Sequence, residues 1–288
     1  MSTTSQLWKN GLFKKKQEAL PFIDWTDATE ASDGTKETEL HEAYHEKLAS
    51  SLKTPKKLFD NMRIRSLPIA EVVVGNPVSG RVLDLGCGTG YLSAWLAMNR
   101  QVDEVYALEQ TTSAVTSLIP KVLEAVGTPV GLVQPVRGSF NSIPVTNHFD
   151  WMIASGSMHH ARYLFHVASE CYKGLKPGAC LIVQDWCWPD NTTVEALSET
   201  YDAHQNFQGV ADIQQKDRNE FSYRECEYKM AVHQAGLNLV EFCYVDYLVP
   251  NLRERNIPQR PFVMVARKPV KPILEVPHRH AVVGPELS

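Results

Sequence analysis

The eleven residues Val82-Leu83-Asp84-Leu85-Gly86-Cys87-Gly88-Thr89-Gly90-Tyr91-Leu92 constrain the fold of this chain more than any other feature. An apolar run with strand character ends in three glycines spaced two apart and passes at once into a segment with helical character. Glycine is needed where a side chain would block a tight turn or the close approach of a ligand. The unpaired N–H groups at the start of the following helix offer donors to a polar or anionic group. Strand, glycine turn and helix in that order open a βαβ unit, whose parallel strands require a crossover.

The chain beyond Arg81 repeats this alternation. Strand candidates at 103–109, 130–136, 149–154 and 179–184 alternate with helix candidates at 91–98, 114–126 and 162–175. Pro120 should kink or break the second of these helices, and Lys176-Pro177-Gly178 should end the third. A helix at 220–234, closed by Gly236, precedes strands at 237–247 and 261–266, spaced as a closing hairpin. The fold expected is a doubly wound α/β domain. Its sheet is mostly parallel and seven-stranded, with a C-terminal antiparallel hairpin strand and helical cap elements.

Residues 1–75 differ: they are charged, carry few strand-like runs, and read as an N-terminal helical cap or lid. Within them 29–34 is a polar loop, 37–53 is helical, Pro55 stops or kinks that helix, and a short helix at 67–74 ends at Gly75-Asn76-Pro77. The domain proper is then 76–268. It carries a cap insertion at about 186–218, where Trp186, Trp188, Tyr201, His204 and Phe207 interrupt the alternation. From Lys268 onward four prolines and two histidines accumulate without periodicity, so 269–288 reads as a loose tail.

An acidic residue ends the second strand. Glu109, nineteen positions after Gly90, is placed to accept hydrogen bonds from both hydroxyls of a ribose. Two ligands suit a glycine loop followed by such an acid: a dinucleotide and S-adenosylmethionine. Dinucleotide loops usually run G-x-G-x-x-G. Here the run is G-x-G-x-G with Asp84 just before it, which is awkward for a pyrophosphate and favourable for a ligand bearing an ammonium and a sulfonium.

These residues resemble the class I S-adenosylmethionine-dependent methyltransferases over roughly 80–268. The resemblance implies that Asp84, Gly86, Cys87, Gly88 and Gly90 lie beneath the amino-acid end of S-adenosylmethionine, that Glu109 binds its ribose, and that Gln110 lies beside the adenine. Where the family usually carries an Asp facing the adenine amino group, this chain has Ser139, followed by Phe140 to cover the ring. Phe149-Asp150-Trp151-Met152-Ile153-Ala154-Ser155 is similar to the family's fourth strand, which places Ser155 at the cofactor.

The residues after this strand bear on the acceptor. Ser155-Gly156-Ser157-Met158 stands where methyltransferases of nucleobase amines carry Asn/Asp-Pro-Pro-Tyr, and neither the Pro-Cys nucleophile of pyrimidine methylation nor a paired-glutamate loop is evident. His159 and His160 come next, at the carboxyl edge where such folds bind ligands, and either imidazole suits a general base near neutral pH. Asp185, at the end of the fifth strand, is a third catalytic candidate. A divalent ion on His159, His160 and Asp185 is an alternative to the metal-free reading adopted. His41-Glu42-Ala43-Tyr44-His45 matches the H-E-x-x-H zinc string, but its flanks are polar and no third ligand is evident, so it is read as coincidental, with Tyr44 a lid residue.

Net charge of −4 gives no field to attract nucleic acid, and Lys14-Lys15-Lys16 alone reads as a solvated face. Six cysteines without a C-x-x-C pair, no signal-like N-terminus and no apolar run of membrane length point to a cytoplasmic protein with reduced thiols. The function expected is methylation of an oxygen or nitrogen on a small-molecule acceptor, such as a natural product or sugar derivative. The rival readings are a nicotinamide-dependent oxidoreductase and a non-catalytic cofactor-binding subunit.

Overall fold

The computed structural model describes residues 22–26, 36–61, 66–197, 221, 223–246 and 259–270. Its strands are β1 (Ile23–Asp24), β2 (Ser79–Leu85), β3 (Gln101–Glu109), β4 (Val133–Arg137), β5 (Phe149–Ser155), β6 (Leu175–Cys187), β7 (Asn238–Tyr244) and β8 (Arg260–Arg267). They form one sheet in the order β1-β4-β3-β2-β5-β6-β8-β7, parallel from β1 through β6 and antiparallel at β8 and β7. The α/β class, the parallel pairing and the closing hairpin agree with the sequence reading. The strand count corrects it from seven to eight, because Ile23 and Asp24 pair with Val136 and Arg137. Two residues are too short a run for any periodicity to show, and only the tertiary neighbour makes them a strand.

Period-two alternation splits the core between the two faces. Val82, Trp151, Ile153, Cys180, Ile182, Val263 and Val265 pack on one face, beneath α3 (Ser66–Val74), α4 (Tyr91–Asn99) and α5 (Ile119–Val126). Leu83, Leu85, Met152, Ala154, Leu181, Val183, Phe262 and Met264 pack on the other, beneath α6 (Leu164–Gly174) and α7 (Glu225–Gln234). Most of these side chains are fully buried, which contributes roughly 1.5–3 kcal/mol for each large one. The same alternation puts Asp84 on the face of Val82, toward α4.

Pro120 marks the predicted irregularity. A π-helical turn, Ala114–Leu118, directly precedes α5, and Pro120 sits in the first turn of α5, where its missing N–H costs least. The N-terminal helix α1 (Lys36–Ser51) ends before Pro55, which begins α2 (Pro55–Asn61), a helix not expected from the sequence. Lys176-Pro177-Gly178 does not stand outside the sheet. β6 starts at Leu175 and is irregular there, with Gly178 at φ +85°. Trp186 and Cys187 also belong to β6 rather than to an insertion, because β8 continues far enough to pair with them through Pro261 and Arg260. The expected cap residues Tyr201, His204 and Phe207, the 29–34 loop, the lysine cluster and the tail beyond 270 lie outside the described residues.

All six cysteines are free thiols. Among the described residues no helix is long and apolar enough to cross a membrane.

Lys268, the last residue assigned to the domain, is an anchor. Its ammonium donates to the carbonyls of Tyr172 (2.7 Å) and Leu175 (2.8 Å) and to Asn147 Oδ1 (2.7 Å), capping the C-terminal turn of α6. Lys268→Met strips these acceptors of their donor while keeping most of the side-chain length. It should lower unfolding free energy by about 1–3 kcal/mol, read as a shifted urea midpoint with an unchanged slope.

Candidate active site

The chain runs from β2 outward to β3 and β4 and then returns to β5 on the other side of β2. That reversal leaves a crevice at the carboxyl ends of β2, β3 and β5, where open α/β sheets bind ligands. The glycine turn forms its floor. Gly86, Gly88 and Gly90 take φ values of +67°, +54° and +77°. A Cβ on Gly86 would lie 2.8 Å from Ser157 Cβ, whereas one on Gly88 would meet nothing within 4 Å. The turn is therefore tight at Gly86 and open above Gly88, as a cradle for a ligand must be.

Glu109 fixes this turn. Its Oε2 accepts from the Gly88 amide at 3.0 Å and its Oε1 from the Gln110 amide at 2.8 Å, while the Cys87 amide donates to the Leu108 carbonyl. The carboxylate at the end of β3 thus holds the loop after β2, a role the sequence did not reveal. Asp84 is almost fully buried and accepts the Ser93 hydroxyl of α4 at 2.6 Å. Burial pushes its carboxyl up to about 7, against the Ser93 hydrogen bonds and with help from the charge of Glu109. The half-buried Cys87 thiol is pushed well above its usual range by burial and by the carboxylates Asp84 and Glu109, which keeps it neutral.

Gln110 is exposed just past Glu109. Ser139 accepts from the Asn141 amide at 3.1 Å and so shapes its own turn, while the Phe140 ring reaches 3.8 Å from the Cβ position of Gly86. Ser155 is exposed at the end of β5, opposite Gln184. The cofactor-side candidates from β2, β3, β4 and β5 are thereby gathered around one crevice.

Sequence reasoning overlooked Ser157, whose buried hydroxyl donates to the Leu85 carbonyl at 2.6 Å and ties the turn after β5 to the floor. A small residue beside glycine-tight packing was its only signal. Trp25 was also overlooked. It lies 3.0 Å from the Cβ position of Gly138, next to Ser139 and Phe140.

Past β5, a short 3₁₀ turn, Met158–His160, carries both histidines. Asp185, its side chain wholly buried, accepts from His159 Nδ1 at 2.8 Å, from the His159 amide at 3.1 Å and from the Trp186 amide at 2.9 Å. A carboxylate only accepts, so Nδ1 carries the hydrogen and the lone pair of the neutral ring lies on Nε2. The His160 ring packs 4.1 Å from that of His159, and the His41 ring of α1 lies 6.0 Å from His160. Asp185 therefore stands behind His159 rather than beside it. Among the described residues no group of three or more His, Cys, Asp or Glu side chains is arranged to hold a metal ion.

Residues 83–183 match the family model described as a methyltransferase domain. No curated protein matches the sequence. Among solved structures the chain is similar to a geranyl diphosphate methyltransferase in complex with S-adenosylmethionine, at 14% identity and TM-score 0.55 over 70% of this chain and 84% of that one. It is similar to the geranyl diphosphate C-methyltransferase of Streptomyces coelicolor A3(2), at 13% identity and TM-score 0.52 over 70% and 75%. It is also similar to the [4+2]-cyclase SpnF, at 16% identity and TM-score 0.52 over 71% and 82%. The oxidoreductase rival finds no support in the family match.

A carboxyl raised to about 7 makes the folded state bind its proton more tightly than the unfolded chain does. Asp84 therefore subtracts stability progressively as pH rises from about 4 to about 7, and by a constant amount above that. Asp84→Asn keeps an acceptor for Ser93 and removes this slope. Urea unfolding from pH 4 to 8 should show the variant gaining on the native protein by a few kcal/mol across that window, at about 1.4 kcal/mol per tenfold displacement of the proton equilibrium.

Proposed function

We propose that this chain, whose residues 83–183 match a methyltransferase domain, is a class I S-adenosylmethionine-dependent methyltransferase that methylates an oxygen or nitrogen of a small-molecule acceptor, with His159 as general base. The observation that carries the reading is the His159–Asp185 pair at the carboxyl edge of the sheet.

The open cradle above Gly88 and the acid at the end of β3 fit the cofactor. Gly86, Cys87, Gly88 and Gly90 would line its amino-acid end with Asp84 beneath them, Glu109 and Gln110 would take the ribose and adenine edge, and Ser139, Phe140 and Ser155 would close the remaining sides. When bound, S-adenosylmethionine supplies a methyl group already activated by its sulfonium. What remains for the protein is to hold the acceptor in line and to give its proton somewhere to go.

His159 is built for the second task. Asp185 holds Nδ1–H, sets the tautomer, orients the ring and stabilises the imidazolium that forms once Nε2 takes a proton. This makes Asp185 a positioning residue for His159 rather than a second base. His160, packed on the His159 ring, forms part of the acceptor wall. Phe221, whose amide donates to the His159 carbonyl at 2.9 Å, adds an apolar surface beside that turn. This supports an acceptor with an apolar or ring-bearing portion. The N-terminal helices before β2 and the stretch that follows Cys187 are read as the elements that cover it, in a soluble cytoplasmic enzyme with no nucleic-acid or membrane partner.

Two measurements check the reading. Glu109→Ala removes the ribose acceptor and frees the Gly88 amide, so S-adenosylhomocysteine affinity measured by calorimetry should fall by about 1–3 kcal/mol. Unchanged affinity would remove Glu109 from the cofactor site. For the base, acceptors are found by mass spectrometry of extracts incubated with isotopically labelled S-adenosylmethionine. With the acceptor in hand, His159→Ala should lower turnover by about 10²–10⁴-fold while S-adenosylhomocysteine affinity holds. Asp185→Asn should lower kcat through the wrong tautomer, and His160→Ala should have the smaller effect. Normal turnover in both histidine variants would leave positioning alone as the source of catalysis.

A further inference from the structure

The turn that carries His159 is tied to the end of β6 twice. One tie is the pair already described, in which Asp185 accepts from the ring and from the amide of His159. The other comes from Tyr223. Its hydroxyl donates to the carbonyls of Ala161 at 2.5 Å and Arg162 at 2.9 Å, directly after His160. A phenol has one hydrogen, so the two carbonyls share it. The backbone carbonyl of Tyr223 accepts from the Trp188 amide at 2.8 Å, and the Glu225 amide donates to the Trp188 carbonyl at 3.0 Å. Tyr223 therefore hangs by its backbone from the chain just past β6 and holds the far end of the histidine turn by its hydroxyl.

The two ties fix different things. The His160 amide donates to the Ser157 carbonyl at 3.1 Å and the Ala161 amide to the Met158 carbonyl at 3.0 Å, so the turn is one piece. Asp185 grips that piece at a single residue, about which it is free to pivot. A second hold at Ala161 and Arg162 removes the pivot and sets how the His159 ring faces Asp185. The Tyr223 ring is fixed in turn. It packs against Phe221, with centroids 6.1 Å apart, and against Tyr228 at 5.8 Å, and Tyr228 packs on Phe262 at 4.8 Å. Phe262 is the ladder partner of Asp185. An aromatic column thus runs from the histidine turn to the strand beside Asp185. Burial pushes the Tyr223 hydroxyl well above the usual phenol range, so it stays a donor. Tyr228 is buried as well, yet its hydroxyl has no hydrogen-bond partner among the described residues. Of two neighbouring phenols, one holds the turn and the other holds nothing.

We propose that Tyr223 is a positioning residue for the His159–Asp185 pair: its hydroxyl clamps the histidine turn to the end of β6 and so keeps Nδ1 of His159 on Asp185 while Nε2 receives the acceptor's proton. This rests on the reading of His159 as general base. Tyr223 touches neither cofactor nor acceptor in this scheme and acts through the turn. Without the clamp the ring swings on Asp185, the hydrogen bond to Nδ1 lengthens, and both the tautomer and the aim of Nε2 are lost.

The test uses the full chain with nitrogen-labelled histidines, the His159 signals being identified by their loss in His159→Ala. Proton–nitrogen spectra read the tautomer and the titration midpoint of His159 in the native protein, Tyr223→Phe, Tyr228→Phe and Asp185→Asn. A carboxylate beside an imidazole raises its midpoint. The clamp therefore predicts that Tyr223→Phe loses part of the Nδ1–H tautomer and lowers the midpoint by about 0.5 or more, toward that of Asp185→Asn. Tyr228→Phe removes a hydroxyl that holds nothing and should leave both readouts native. A retained tautomer and a midpoint within about 0.2 of native in Tyr223→Phe would overturn the clamp, even with a lowered melting temperature. An equal shift in Tyr228→Phe would overturn it too. Should Tyr223→Phe fail to fold, Tyr223→Leu, which also lacks the hydroxyl, is read in its place with the same outcomes. With the acceptor in hand, Tyr223→Phe should lower kcat by about tenfold and leave S-adenosylhomocysteine affinity unchanged. Native turnover in His159→Ala would overturn the base and any catalytic role of Tyr223 with it, whereas slowed His159→Ala beside native kcat in Tyr223→Phe would leave the base standing and remove only the clamp.

Discussion

The parallel pairing of β2 with β3 on one side and β5 on the other is the constraint on which the rest of the structure depends. Leu85 faces Leu108 in one ladder and Ala154 in the other, so three strands end at the same level. Because the pairings are parallel, all three carboxyl ends open on one side, and each must be followed by a turn there. The glycine turn, the Glu109-Gln110 segment and the histidine turn are those three successors. None of them is near the others in sequence, and the ladder alone makes them neighbours.

Three carboxylates at or near strand ends show how differently the same group is used. Glu109 is held by backbone amides, including that of Gly88, and so locks one turn to another strand. Asp84 points sideways under the turn to Ser93, where burial outweighs the hydrogen bond and drives its proton affinity up. Asp185 is buried as well but accepts three hydrogen bonds, and one of them comes from a ring nitrogen. Desolvation that would be costly for an isolated charge is offset there by donors. The carboxylate thereby governs which nitrogen of His159 holds a proton.

The [4+2]-cyclase SpnF shares this fold at low identity, so the architecture does not dictate a single chemistry. The features of this chain that bear on its own chemistry are the imidazole–carboxylate pair and the N-terminal helix, whose His41 ring lies against that of His160. α1 is a mostly polar helix, and its place is set by the hydrogen bonds of Glu42 and His45 together with Leu48 and Ala49, which pack on the core.

The sequence by itself determined the α/β class, the succession of β2 to β6 along the chain, the closing hairpin and the glycine turn with its acid. Each of these depends on local signals: period-two apolar runs, glycine where φ must be positive, and a fixed offset from turn to acid. It also put His159, His160 and Asp185 on the correct edge, because strand ends are legible locally. It did not reveal that Asp185 orients His159, that Glu109 holds Gly88, that Ser157 ties the floor, or that Ile23 and Asp24 add an eighth strand. Those facts depend on distances between residues far apart in the chain. The H-E-x-x-H string shows the limit most clearly. Its spacing put two histidines on one helix face, but whether that face would meet a metal, solvent or the turns after β3 and β5 was decided only when α1 packed against the π-helical turn after β3.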